Sequence, residues 1–380
     1  AALIRKGLVV LQFGISIVLI ISIITIYRQV QHVKGRSLGF DKNNLLQVDV
    51  NREMTENYGA IRQDLLGTGI VEDLALSNYN TLYSGNNSGG LTWEGKTSGN
   101  QVLVSMRYVS PGFMNVSGIK ILDGRDFAET DSVQSKRMNV IITRSLEKLM
   151  GNGTAVGKTL RWDGDTSGMV VNVVGVVNDY VYGDMYGKPD PVMFFCLTTR
   201  DASQMYVRLK PPADPEAAMK RIGAVVKKDN PSYPFTYHFV DDQFNRMFLN
   251  EQLISRLSRV FAALAIIISC LGLFGLAAYT AERRKKEIGV RKVLGASVTH
   301  ITTLLSKDFL QLVLISCLVA FPVAWWLMHK WLQSYKYRIE INWWIFLAAG
   351  ISAILIALIT VSFQSVKAAI ANPARNLRSE

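Results

Sequence analysis

Gly151 to Thr159 (GNGTAVGKT) comes nearest to a catalytic signature, because a Gly-Lys-Thr preceded by a glycine-rich loop can cradle phosphates with backbone amides. That pattern needs a glycine five residues ahead of Gly157, and the position holds Asn152. A phosphate loop also follows a buried strand, which is not predicted here, so the stretch reads as a turn between elements. The four histidines, His32, His238, His300 and His329, are scattered, and neither HExxH nor CxxC spacing occurs to hold a metal. Asp241-Asp242 and the Asp163/Asp165 pair could serve acid-base or Ca²⁺ chemistry, but beside polar loop residues they read as solvated turns. Cys270 and Cys317 lie in apolar runs and Cys196 stands apart, so no disulfide framework is available. No catalytic residue, cofactor or metal site is predicted, and the chain is not read as an enzyme.

The most informative stretch is instead Glu282 to Ser297, ERRKKEIGVRKVLGAS. Val290, Val293 and Leu294 share one helical face, and Glu287 is placed to pair with Arg291 at i, i+4. An amphipathic basic helix lying at a membrane is predicted. Attraction to anionic lipid accounts for its charges alone, whereas docking of a cytoplasmic partner also accounts for the ordered apolar face and the Gly295-Ala296 end.

The elements that position this helix are apolar runs of about 20 residues, the length that crosses a bilayer as a helix. They are Leu8 to Tyr27, Val260 to Thr280, Phe309 to Met328 and Trp343 to Phe363. Pro322 falls in the third, where neighbouring helices can satisfy the freed carbonyl. Trp325-Trp326, Trp331 and Trp343-Trp344 flank the connection between the third and fourth, as rings at headgroup level do. The spans lack Asp, Glu, Lys and Arg in their central portions, which argues against an ion pathway or proton relay. Small residues recur at Ala349, Ala353 and Ala357 and at Ser269, Gly272 and Gly275, faces that suit either packing among the four spans or contact with a second copy.

Six basic residues against two acidic between Ala281 and His300 place that loop in the cytoplasm, and with it both termini. The net charge of +12 is then explained by cytoplasmic loops, with no call for nucleic acid. The insert from about Arg28 to Arg259 falls on the other side. It alternates strand-like stretches (Asn44 to Val50, Val102 to Val109, Val170 to Val177, Phe235 to Val240) with amphipathic helices at Glu56 to Leu66 and Pro215 to Lys228, an α+β domain with room for two subdomains. Asp242 to Leu257 is helical in period and is expected to run unbroken into the second span as a lever.

AERRKKEIGVRKVLGAS, behind a span ending CLGLFGLAAYT, closely resembles the FtsX-like, or MacB-type, permeases of ABC transporters. VSPGFMNVSGIKILDGRDF (Val109 to Phe127), AVGKTL (Ala155 to Leu160) and VVGVVNDY (Val173 to Tyr180) resemble the family's MacB-like periplasmic core domain, so the resemblance covers essentially the whole chain. It implies an α-helical membrane protein with four transmembrane helices and a large α+β extracytoplasmic domain between the first two. The division is an N-terminal transmembrane helix at 1–27, a core domain at 28–259 and an FtsX-like permease domain at 260–380. It further implies a permease subunit of an exporter or mechanotransmission complex in the bacterial inner membrane. A separate cytoplasmic ABC ATPase would engage Glu287, Gly289, Arg291, Lys292, Gly295 and Ala296. Other expected partners are the bilayer, a periplasmic protein, and either a second permease half or a second copy of the chain. The first residue is not Met, which fits the C-terminal half of a longer two-half permease. The alternative is a membrane-anchored receptor whose outer domain binds a ligand.

Overall fold

The computed structural model describes residues 2–80, 87–96, 102–131, 137–151, 153–164, 169–211, 214–231, 234–284, 287, 290–291, 294 and 297–370. Each apolar run is a helix long enough to cross a bilayer: span 1 (Ala2–Lys34), span 2 (Leu249–Arg283), span 3 (Val298–Leu332) and span 4 (Trp343–Ile370). The helices outrun their apolar cores because polar ends such as Arg28 to Lys34 keep helical hydrogen bonding where water is again available. Span 3 passes through Pro322 without ending.

The chain forms two compact units, residues 1–35 with 249–380, and residues 36–248. In the first, Val9, Phe13, Ile17 and Ile21 recur at every fourth position of span 1 and bury against Leu273 and Ala277 of span 2 and Val313, Ala320 and Ala324 of span 3. Ala349, Ala353 and Ala357 of span 4 belong to the same core. On span 2, the Ser269 and Ser16 hydroxyls are 3.2 Å apart, and a Cβ at Gly272 would lie 2.5 Å from Gln12 Oε1. These small residues therefore let spans of one chain approach closely.

The second unit is built on one sheet. Its strands are β1 (Leu45–Asp49), β2 (Val71–Ser77), β3 (Asn87–Ser88), β4 (Leu91–Trp93), β5 (Val104–Val109), β6 (Ile121–Gly124), β7 (Arg137–Thr143), β8 (Thr159–Trp162), β9 (Val170–Val177), β10 (Val192–Cys196), β11 (Gln204–Leu209) and β12 (Tyr237–Phe239). The order is β12-β1-β11-β2-β5-β10-β7-β9-β8-β4, with β3 against β5 and β6 against β9. β5–β10 and β7–β9 are parallel and the remaining pairs antiparallel. Two apolar cores form on it. One gathers Leu46, Val48, Leu74 and Val207 with the helices Tyr58–Gly67 and Pro215–Asp229, and the other gathers Val140, Leu160, Val173 and Phe195 with the helix Arg144–Leu149.

Beyond shifts of one or two residues at strand and helix ends, three differences from the sequence reading have a local cause. The helix expected over Glu56 to Leu66 is two, Arg52–Glu56 and Tyr58–Gly67, parted at Asn57, which ends the first and caps the second. The last strand stops at Phe239 because Val240 opens the helix Val240–Arg246. The lever expected from Asp242 is broken at Met247 and Phe248, whose amides bond back only three residues, to the Phe244 and Asn245 carbonyls. Phe248 is fully buried against Phe244 (ring centroids 5.1 Å apart) and Tyr186 (6.1 Å), and burying that ring takes the chain out of the helix.

The Gly124-Arg125-Asp126-Phe127 turn shows how the family-like stretches are held. Gly124 has φ +75° at the close pairing of β6 with β9, where a Cβ would run into the Val174 carbonyl. Arg125 then reaches Asp131 at 2.5 Å, and Asp131 also accepts from Asn139 Nδ2 (2.6 Å) and the Ala128 amide (2.8 Å). The Arg125 bond first, with these two, holds the Asp131 carboxyl down at about 2.

Candidate functional site: the loop between spans 2 and 3

Span 2 ends at Arg283, and span 3 begins at a Ser297 cap whose hydroxyl accepts the His300 amide at 3.2 Å. Between them Glu287, Val290 and Arg291 are helical, and the Leu294 amide donates to the Val290 carbonyl at 3.0 Å. Arg291 Nη2 lies 2.8 Å from Glu287 Oε1, the i, i+4 pair that the spacing predicts. Val290 is 51% exposed and Leu294 80%, so two apolar side chains one turn apart project away from the bundle. Of the six expected contact residues the structure brings Glu287 and Arg291 together. Gly289, Lys292, Gly295 and Ala296 lie outside the described residues, as does Val293 of the expected apolar face.

The basic residues at the roots of this loop are tied into the bundle by two partners that sequence reasoning passed over, Asp308 and Tyr279. Arg284 Nη2 is 3.0 Å from Asp308 Oδ2, a bridge from the residue after span 2 to the eleventh residue of span 3. The Tyr279 ring carries the Arg5 guanidinium 4.6 Å from its centroid and that of Arg283 at 5.4 Å, which links spans 1 and 2 by cation–π contacts. Asp308 had a signal to offer, as the sole acidic residue between Glu287 and Glu340. An exposed apolar and basic helical turn on such roots performs no bond chemistry. These contacts join the loop's ends to spans 1, 2 and 3.

The outer unit holds the catalytic lookalikes. The stretch resembling a phosphate loop follows the helix Arg144–Leu149 and leads into β8, the reverse of a strand-to-helix phosphate loop. Several of its amides are already committed. Ala155 donates to Glu147 Oε1 (3.2 Å), Gly157 to the Val173 carbonyl (2.8 Å) and Lys158 to the Ala155 carbonyl (3.0 Å). Asn152 and Asp165 lie outside the described residues, while Asp241 and Asp242 occupy the first turn of the helix Val240–Arg246, where carboxylates favour the positive end of the helix dipole. Burial pushes the Cys196 thiol up to about 12, which keeps it protonated and poorly nucleophilic.

Comparison with known proteins follows the same division. The family model of the MacB-like periplasmic core domain matches residues 7–225, and that of the FtsX-like permease C-terminal region matches residues 259–373. The chain is 23% identical over 287 residues to the uncharacterized ABC transporter permease YknZ of Bacillus subtilis, covering 72% of this chain and 69% of that protein. It is 25% identical over 221 residues to the macrolide export ATP-binding/permease protein MacB of Chromobacterium violaceum, covering 56% of this chain and 32% of the relative. The chain thus spans about two thirds of YknZ and about a third of that MacB. Among solved structures it is similar to the periplasmic region of MacB from Actinobacillus actinomycetemcomitans (TM-score 0.38, 14% identity, 57% of this chain and 97% of that one). It is also similar to the extracellular domain of YknZ from Gram-positive bacteria (TM-score 0.34, 18% identity, 51% and 98%).

Proposed function

The chain belongs to the family of ABC transporter permeases that join a MacB-like periplasmic core domain to an FtsX-like permease region, and from that premise we propose that it couples ATP hydrolysis on a separate cytoplasmic subunit to movement of its own periplasmic domain. It is a multi-pass protein of the bacterial inner membrane. In this reading residues 1–27 are an anchoring span, 28–259 the domain that is moved, and 260–380 the permease domain that receives the ATPase. Glu287, Gly289, Arg291, Lys292, Gly295 and Ala296 form the ATPase contact.

The observation that carries the proposal is the pair Val290 and Leu294, exposed beside the Glu287–Arg291 ion pair on the loop between spans 2 and 3. An interfacial helix would also bury two apolar side chains in the headgroup layer, so docking leans equally on the family, whose members are permeases of ABC transporters. A protein surface with an apolar hollow and an acidic rim takes both. Spans without central charges fit transmission of movement better than conduction of a polar solute.

The test is purification of the full-length protein in detergent, with the accompanying ABC-type ATPase identified and quantified by mass spectrometry, for wild type, Leu294→Glu and Arg291→Glu. We expect the ATPase with wild type alone, while the variants elute and melt as wild type does. Equal recovery of the ATPase with both variants would remove this loop as the contact.

A further inference from the structure

We propose that the outer ends of spans 1 and 2 form a binding site for the phosphate of an outer-leaflet phospholipid headgroup. The two helices enclose a cavity of ≈ 220 Å³ whose lining includes Gln31 and Lys34 from span 1 and Glu251, Gln252, Arg256 and Arg259 from span 2. Gln252, Arg256 and Arg259 fall at i, i+4 and i+7 and share one helix face, and Gln31 and Lys34 fall at i and i+3 on the other. Three cations against one carboxylate leave the cavity with a net charge of +2. Two guanidinium groups, an ammonium and two carboxamides offer N–H donors at one place, the set that recognises phosphate oxygens.

Depth and size say which phosphate. The periplasmic domain is inserted in the chain between these two spans, so residues 31–34 and 251–259 are the periplasmic ends of those spans. Isolated Lys and Arg near span ends ordinarily reach for water singly. Here residues from two helices line one cavity instead. On span 2 the face that carries Gln252, Arg256 and Arg259 continues toward the membrane interior through the exposed Ala263 and Ile267, an apolar track for acyl chains. At ≈ 220 Å³ the cavity falls below the roughly 300 Å³ at which pockets for drug-sized ligands begin, so it suits a headgroup rather than a whole bulky solute. This inference does not rest on the ATPase reading.

The test uses the full chain, stripped of lipid in detergent and titrated under native mass spectrometry with dioctanoyl phosphatidylglycerol. Inorganic phosphate and uncharged dioctanoylglycerol are parallel arms. We expect wild type to hold the phospholipid and to bind the other two at least about tenfold more weakly, since each lacks either the apolar track or the charge contacts. Arg256→Gln/Arg259→Gln should weaken the phospholipid roughly 25-fold, about fivefold per cation, with Arg256→Lys/Arg259→Lys close to wild type. If the double Gln variant fails to fold, Lys34→Gln supplies the fivefold step. Inorganic phosphate binding as tightly as the lipid would overturn the headgroup assignment. Dioctanoylglycerol binding as tightly, or a folded Gln variant that keeps wild-type affinity, would overturn the phosphate site itself.

Discussion

Replacing Gln29 by methionine should loosen the membrane unit more than any change of similar size on its surface. Gln29 is fully buried at the outer end of span 1, where its Nε2 donates to the Tyr337 carbonyl at 2.9 Å and its Oε1 accepts the Ile339 amide at 2.9 Å. One side chain thus satisfies two backbone groups of the connection between spans 3 and 4. Methionine has similar length and makes neither bond, and a buried polar group left unpaired costs about 1–3 kcal/mol. Two such groups give roughly 3 kcal/mol once partial recovery by interfacial water is allowed for, a fall in melting temperature of about 6–12 °C for a unit of this size. The assay is thermal unfolding of the full chain in detergent, with Ser352→Ala as the reference. The Ser352 hydroxyl is exposed and bonds only within its own helix, to the Ala348 carbonyl at 2.8 Å, so its loss should stay within about 0.5 kcal/mol. Gln29→Met melting within about 1 °C of wild type would refute the idea that this amide clamps span 1 to the outer connection.

Exchanging the charges in Glu287→Arg/Arg291→Glu keeps an i, i+4 pair whose worth is about 0.5 kcal/mol or less, so folding should be unchanged. ATPase stimulation by the purified permease should nevertheless fall at least about tenfold, the effect of roughly 1.4 kcal/mol of lost docking energy. Asp131 is depressed from 3.8 to about 2 in the fold. A depressed carboxyl contributes stability above its unfolded value and loses it as pH falls through the folded one, so wild-type stability should decline between about pH 4 and pH 2. Asp131→Asn should lack that decline and be about 2 kcal/mol less stable at pH 7, as read from denaturant unfolding at several pH values. Gly124→Ala forces a side chain into a left-handed backbone against the Val174 carbonyl and should cost at least about 2 kcal/mol, seen as a lowered midpoint in the same assay.

Much of the architecture could be read before any coordinates, for physical reasons that also mark where reading stops. An apolar run of about 20 residues has few fates other than a span, and span 4 begins at the Trp343 read from the sequence. β9 was visible because Val170 to Val177 is rich in β-branched residues, whereas β10, VMFFC, buries all five of its residues and carries no alternation to betray it. The helix break at Met247 escaped because its cause is the burial of Phe248 against Phe244 and the distant Tyr186, which periodicity cannot report. Within the candidate site the Glu287–Arg291 pair was legible, being fixed by helical spacing alone. The Arg284–Asp308 bridge and the Arg5–Tyr279–Arg283 stack were not, since each joins different spans and exists only after they pack.

The central claim is that ATP hydrolysis in the cytoplasm moves the periplasmic domain, and a distance measured between the two units tests it most directly. Spin labels at Lys220→Cys on the outer unit and Gln333→Cys at the outer end of span 3 would be read by pulsed electron resonance on the full chain bound to its ATPase. The account predicts that the distance distribution shifts when ATP is trapped before hydrolysis and returns after turnover. A distribution that stays the same in both states, with the ATPase bound and hydrolysing, would contradict it.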